Sequence, residues 1–381
     1  MRTSRRSDVD PFIVMDVMEA AREAEAAGRH IIHMEVGQPS TPAPAAARRA
    51  LAEAMEAGAL GYTVALGLPE LRSGIADLYD RWYGISLDPD RVVVTAGASG
   101  AFLLTFSALF DAGDKVGLAA PGYPSYRQIL KAMNLQPVSL EGRPEHGFQP
   151  QPSDLAGLSG LIAASPANPT GTMLSNAEYC ALSNACAEAG CALISDEIYH
   201  GISYEDRCVS ALEVTDEVFV VNSFSKYFSM TGWRIGWMVV PESHVRTVER
   251  LAQNMFICAP HASQVAALGA LRATDELDGH LATYSANRRL LLAGLKALGI
   301  PVISPADGAF YIYIDVSEFT EDSLALASEI LAKADVAVTP GLDFDPVRGA
   351  QTLRLSYARS TADIEEGLAR LTQFFESRRA S

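Results

Sequence analysis

Cysteine is scarce and shows no pattern that metal or disulfide chemistry needs. The chain has five, at 180, 186, 191, 208 and 258, an odd number without metal-ligand spacing. A reduced, cytoplasmic protein without structural disulfides is the expectation. Histidine is sparse as well. Its seven copies form no HxxxH pair and no His/Cys/acid cluster, which leaves a metal site or histidine–serine nucleophile chemistry without support. Positive charge is in deficit, 30 Lys+Arg against 46 Asp+Glu, for a formal net charge of −16. That balance argues against nucleic acid and anionic membrane surfaces as partners, because both attract basic protein. It leaves room for a small phosphate, which needs only local positive potential. No apolar run is long enough to span a bilayer. Basic Met1–Arg6 leads into Ser7-Asp8-Val9-Asp10 rather than the apolar core of a secretory signal. Repeats, low-complexity linkers and charged tails are absent from the sequence, so a soluble enzyme-sized body is expected.

With 381 residues, 49% of them apolar, the chain can bury a large core, as two domains or one large one with an appendage. Asp10-Pro11 followed by helix formers to Ala27 and a Gly28 stop predicts an N-terminal helix. A strand over Ile31–Val36 and helices over Pro42–Ala57 and Pro69–Tyr83 follow. From Arg91 the pattern becomes α/β. Short apolar strands at Val92–Thr95, Lys115–Ala119, Pro137–Leu140, Leu161–Ser165, Ala192–Ser195 and Val218–Val221 alternate with helices at Ser99–Phe110, Ser125–Met133 and Asn176–Ala189. This predicts a mainly parallel sheet covered by helices on both faces, whose ligands lie off the carboxyl ends of the strands. Beyond Val240 come a long helix around Leu281–Leu298, strands at Ala309–Val316, Val336–Thr339 and Thr352–Tyr357, and helices at Ser323–Ala334 and Thr361–Phe375. The expected division is a large domain over 46–270 and a smaller α+β domain built from both termini, 1–45 and 271–381.

The most telling stretch is Val221–Gly236, VNSFSKYFSMTGWRIG. Lys226 lies there among Ser223, Phe224, Ser225, Tyr227, Phe228, Met230 and Trp233 rather than among charges. Partial burial disfavours an ammonium, so such a lysine can be tuned toward a neutral nucleophilic amine. The alternative is a lysine that caps a strand end and snorkels to water. As it stands, S-x-S-K-x-x-x-M-T-G-W-R-x-G at Ser223–Gly236 resembles the cofactor-lysine motif of the class I/II aminotransferases, pyridoxal-phosphate enzymes of fold type I. The likeness extends over nearly the whole chain.

The resemblance implies that Lys226 holds pyridoxal phosphate as an internal aldimine and later shuttles the substrate proton. Gly97-Ala98-Ser99-Gly100 joins a strand to a helix, where small residues and the helix N-terminus suit an anion. The family places the cofactor phosphate at the matching segment, which assigns it to Ala98 and Ser99, with Ser223 and Arg234 as further donors. Tyr62, in G-Y-x-x-x-x-G-x-P-E-L-R, resembles a tyrosine that reaches the phosphate across a dimer interface; packing on its own domain is the other reading. Tyr123 in P-G-Y-P-S-Y matches the residue stacked on the pyridine, although a turn tyrosine can also be plain packing. Asn168 in N-P-T-G and Tyr199 in D-E-I-Y resemble the pair bonded to the cofactor's phenolic oxygen; an ordinary turn also explains N-P-T-G. Asp196 ends an apolar strand, where a carboxylate can cap the next segment or, beside a pyridinium nitrogen, keep that nitrogen protonated. Arg354 in L-R-L-S-Y-A is costly in a strand unless paired, and a bidentate guanidinium suits a substrate α-carboxylate. Arg348 and Arg359 compete for that role, and the motif selects Arg354. Gly37 matches the glycine whose backbone faces the same carboxylate.

The implied function is transfer of an amino group from an L-amino acid to a 2-oxo acid by a homodimer with shared sites. Two alternatives remain open: a β-elimination lyase on the same scaffold, and a cofactor-binding transcriptional regulator, for whose DNA-binding domain the length leaves no room. Dicarboxylate-specific members of one subgroup use a partner-chain arginine at the place Gln253 occupies, and no arginine lies in Leu251–Pro260. Phe12, Ile13 and Val14 could give the substrate an apolar cover.

Overall fold

Strands such as Val92–Thr95 and Gly160–Ala164 carry no polar alternation, so they are stable only where both faces are covered. The computed structural model, which describes residues 1–380, gives them that setting. In chain order the strands are β1 Ile32–His33, β2 Val92–Thr95, β3 Lys115–Ala120, β4 Gln136–Glu141, β5 Gly160–Ala164, β6 Ala192–Asp196, β7 Phe219–Ser223, β8 Gly236–Val239, β9 Tyr311–Asp315, β10 Val336–Ala337, β11 Thr339–Pro340 and β12 Thr352–Ser356. The helices are α1 Ile13–Ala26, α2 Ala45–Ala57, α3 Pro69–Tyr83, α4 Gly97–Leu109, α5 Pro124–Ala132, α6 Asn176–Ala189, α7 Glu242–Met255, α8 His261–Ala270, α9 Thr274–Ala297, α10 Ser323–Ala334 and α11 Thr361–Arg379.

The main sheet runs β2-β8-β7-β6-β5-β3-β4. Only β8 runs against its neighbours, as the return strand between β2 and β7; the other pairs are parallel. Alternate residues feed two separate cores, as strand periodicity requires. Val92, Val94, Leu161, Leu193 and Val220 join Leu71, Ile75 and Tyr179 of α3 and α6 on one side. Val93, Ile162, Ile194 and Val221 join Phe102 and Phe106 of α4 and Leu130 of α5 on the other.

The C-terminal part builds two small sheets, β11-β12-β9 and β1-β10. The strand expected over Val336–Thr339 is divided between them. Val336 and Ala337 pair with Ile32 and His33, whereas Thr339 and Pro340 pair with Arg354 and Leu353. Val338 is the buried pivot between the two partners. The helix expected from Leu281 starts earlier, at Thr274, where Asp275 and Glu276 complement the helix dipole. Among the described residues no helix is long and apolar enough to cross a membrane.

Candidate active site

The loops at the carboxyl ends of β2, β5, β6 and β7 surround a cavity of about 230 Å³. Lys226 stands three residues past β7 in a turn held by aromatic packing. Phe224 is fully buried against Phe228 and Trp237, at ring-centroid distances of 4.8 and 5.0 Å. This anchorage aims the partly buried amine into the cavity, where it donates to the Gly37 carbonyl at 2.6 Å. Burial, then the nearby Arg354 and Arg234 charges, lower its pKa to about 8, with Asp196 pulling the other way.

Asp196 closes β6 and is buried. Its Oδ2 accepts the Tyr126 hydroxyl and its Oδ1 the Ile198 N–H at 3.0 Å. Burial nonetheless raises the carboxyl to about 6, against the pull of Tyr126, Ile198 and Lys226. Ala98 and Ser99, in the first turn of α4, line the cavity beside Arg234. Gly97 has φ +73°, and a Cβ there would meet Arg234 Nη2 at 2.6 Å. Gly236 packs as tightly, since its Cβ would meet the Gly97 carbonyl carbon at 3.1 Å and Ala98 N at 3.2 Å. Glycine at these positions lets the guanidinium lie against the helix N-terminus.

Arg354 enters from β12. It is 3% exposed, and its guanidinium lies over the Tyr311 and Phe344 rings at 4.3 and 4.7 Å. It donates to Asn168 Oδ1 at 3.0 Å, Thr339 Oγ1 at 3.1 Å and the Glu35 carbonyl. Its buried Nε–H has no acceptor among the described residues, an expensive vacancy unless an anion fills it. Tyr199 and Tyr311 share a hydroxyl–hydroxyl hydrogen bond at 2.8 Å on the same wall, and Tyr123 meets Phe12 edge-on.

The cavity thus gathers Gly37, Ala98, Ser99, Tyr123, Asn168, Asp196, Tyr199, Lys226, Arg234 and Arg354. Two expected residues are placed elsewhere. Ser223 is buried behind the wall, bonded to the Ile235 carbonyl at 3.0 Å and to Ser225 Oγ at 2.8 Å; Ser225 is the hydroxyl that lines the cavity. Tyr62 is 83% exposed and lies outside the cavity. Tyr126, Tyr311 and Met15 line the site without having been singled out. Tyr126 had a signal, since it lies in the first turn of the helix that follows Tyr123. Tyr311 and Met15 had none beyond their place on a strand and a helix.

An amine of lowered pKa and a carboxylate at the ends of neighbouring parallel strands, beside an arginine-backed helix N-terminus, belong to the fold-type I class of α/β enzymes. The sequence matches the family Aminotransferase class I and II over residues 29–371, and the chain belongs to that family. A valine–pyruvate aminotransferase of Mycobacterium tuberculosis is 48% identical over 99% of both chains. A crystal structure of an aminotransferase from that organism superposes with TM-score 0.96 at 47% identity, covering 99% of this chain and 100% of the other. The aspartate aminotransferase of Thermus thermophilus, solved with maleate, gives TM-score 0.90 at 32% identity, covering 98% of this chain and 100% of the other. The protein is therefore an aminotransferase, from a family that depends on pyridoxal phosphate. The residues present fit that group: the glycine-lined turn of α4 with Arg234 suits a phosphate, and buried Asp196 suits a ring N–H.

Proposed function

We propose that Lys226 carries pyridoxal phosphate and that the enzyme moves the amino group of an L-amino acid with an apolar side chain to a small 2-oxo acid. The observation that carries this reading is one cavity holding both Lys226, shifted toward its neutral amine, and the buried Asp196. Bound there, the cofactor supplies an electron sink for negative charge at the substrate's α-carbon. Ala98, Ser99, Ser225 and Arg234 hold the phosphate, with Ser223 supporting Ser225 from behind. Tyr123 covers one face of the ring, and Asn168 and Tyr199 hold its phenolic oxygen. Asp196 keeps a proton on the ring nitrogen. Arg354 and the Gly37 backbone seat the α-carboxylate, a charge that would also suit the unpaired Arg354 Nε–H. Lys226 Nζ, once the substrate amine has taken its place, would be the base that accepts the α-proton and the acid that later gives it up.

The donor class follows from the walls. Apart from Lys226, Arg234 and Arg354, no lysine or arginine among the described residues lines the cavity, whereas Phe12, Val14, Met15, Ile129 and Ile198 do. A second carboxylate on the substrate finds no partner of its own. The Mycobacterium tuberculosis relative, a valine–pyruvate aminotransferase, points to the same class. We further propose a cytoplasmic homodimer in which Tyr62 completes the partner's phosphate site. All five cysteines are free, which suits a reducing compartment. The loop bearing Tyr62 is fastened to the start of α8 by His261 and Gln264, close in sequence to exposed Ile257.

Borohydride reduction of the purified holoenzyme followed by peptide mapping tests the attachment. The expected product is one modified peptide containing Lys226, and a modified peptide without it would end the proposal. A panel of amino donors with pyruvate and 2-oxoglutarate tests the substrate class, with L-valine expected to outrun L-aspartate.

A further inference from the structure

Helix α1 begins without a cap of its own. Phe12 occupies the N-cap position and makes no side-chain cap bond, so the first N–H groups need an acceptor from elsewhere. Asp343 supplies it from 330 residues away. Its Oδ1 accepts the Ile13 N–H at 3.4 Å and its Oδ2 the Val14 N–H at 3.2 Å. Asp343 is 4% exposed and ends the turn Gly341–Asp343, which leads out of β11. That strand also holds Thr339, a partner of Arg354. The cap of α1 and the seat for the substrate carboxylate therefore belong to one short segment.

The other end of the strap is fixed to the main body. Asp10 Oδ2 accepts Lys131 Nζ at 2.8 Å and Gln128 Nε2 at 3.0 Å, and the Asp10 N–H donates to Gln128 Oε1 at 3.1 Å. Between the two pins, Phe12 stands edge-on to Tyr123 at 5.9 Å, and Phe12, Val14 and Met15 face the cavity. On its outer side Phe12 borders a second, mostly apolar space that includes Leu103, Pro124 and Ala132. Phe12 is thus a partition between the two spaces.

We propose that the strap Asp10–Met15 is the wall that selects the substrate side chain, and that Asp343 is the positioning residue that fixes it. This rests on the transamination site proposed above. Asp343 is not among the residues lining the cavity; it acts through the α1 backbone. Val14 and Met15 touch a branched side chain only while the first turn of α1 keeps its place, whereas a lone methyl group reaches the wall less. One or two apolar carbons in such a pocket are worth about tenfold or more in discrimination.

The test compares kcat/KM for L-valine and L-alanine with 2-oxobutyrate as the common acceptor, in wild type, Asp343→Ala and Asp343→Asn. In Asp343→Ala the valine-to-alanine ratio is expected to fall about tenfold, mainly through KM for valine. Asparagine keeps one acceptor oxygen for the helix N–H groups, so Asp343→Asn should recover most of the ratio. A ratio unchanged in Asp343→Ala overturns the proposal. So do parallel losses for both donors in both variants with a lowered Tm, which mark a purely structural residue. If Asp343→Ala does not fold, Asp10→Ala decides, because it removes an exposed pin; a ratio that moves less than threefold there overturns the proposal. A wild-type enzyme that uses L-aspartate in preference to both donors overturns the substrate class itself, before any variant is compared.

Discussion

Folding raises the Asp196 carboxyl from about 3.8 to about 6, chiefly by burial. As pH rises, the unfolded chain gives up this proton first, so the apoenzyme loses stability through this group between about pH 4 and 6 and does not regain it above. Asp196→Asn cannot ionise and keeps one acceptor oxygen for either the Tyr126 hydroxyl or the Ile198 N–H, much as the protonated carboxyl does. The apo variant should therefore be the more stable at pH 7, by about 2–3 kcal/mol, with the gap closing toward pH 4 in denaturant melts. The same change should cut turnover by at least about a hundredfold while the cofactor stays bound, because it removes the group that keeps the ring nitrogen protonated. Near-normal α-proton abstraction in single-turnover kinetics would refute that role. At this scale the sequence was readable where chemistry is unusual: a lysine among aromatics, an acid ending an apolar strand, an arginine inside one. It was unreadable where only direction matters. Ser223 ends β7 and Ser225 lies in the turn beyond, and nothing in S-F-S-K tells which hydroxyl faces the cavity.

The first turn of α4 is the element proposed to hold the phosphate, and its geometry comes from glycine. Gly97 sits in the left-handed region with Arg234 pressed against the place of its missing side chain. Gly97→Ala should cost roughly 1–2 kcal/mol in backbone strain and push the guanidinium away from the helix end. The expected result is a cofactor dissociation constant raised at least tenfold in absorbance titrations; an unchanged value would remove this turn from the phosphate site. Elements of this kind were legible because apolar runs and glycine stops mark strands and helix ends locally. Partnership was not. Val336–Thr339 reads as one strand, but its halves pair in different sheets, a choice made by residues about 300 positions upstream for one half and about 15 positions downstream for the other. The cap of α1 by Asp343 is hidden for the same reason: local sequence shows a helix start at Phe12 without an acceptor, and cannot show who supplies it.

For the whole molecule the open question is whether one chain makes a complete site. Tyr62 is 83% exposed, and Val64, two residues on, is 59% exposed. A tyrosine bond to phosphate is charge-assisted and worth about 1.5–3 kcal/mol, so Tyr62→Phe should weaken cofactor retention about tenfold or more. Mixing Tyr62→Phe with Lys226→Ala chains at limiting cofactor gives the sharper answer. If sites are shared, a heterodimer has one site with both residues intact, and activity appears on mixing. If each Tyr62 serves its own chain, both sites keep a lesion and none appears. The two pins of the N-terminal strap also set an order of events during synthesis. All seven strands of the main sheet have been made once Val239 leaves the ribosome, and Asp343 is still unmade. At the usual pace of translation about 5–20 s separate the making of Val239 from that of Asp343, the carboxylate that caps Ile13 and Val14. A newborn chain therefore has its main sheet before it has the carboxylate proposed to fix the strap, and a chain truncated before the turn Gly341–Asp343 never acquires that carboxylate.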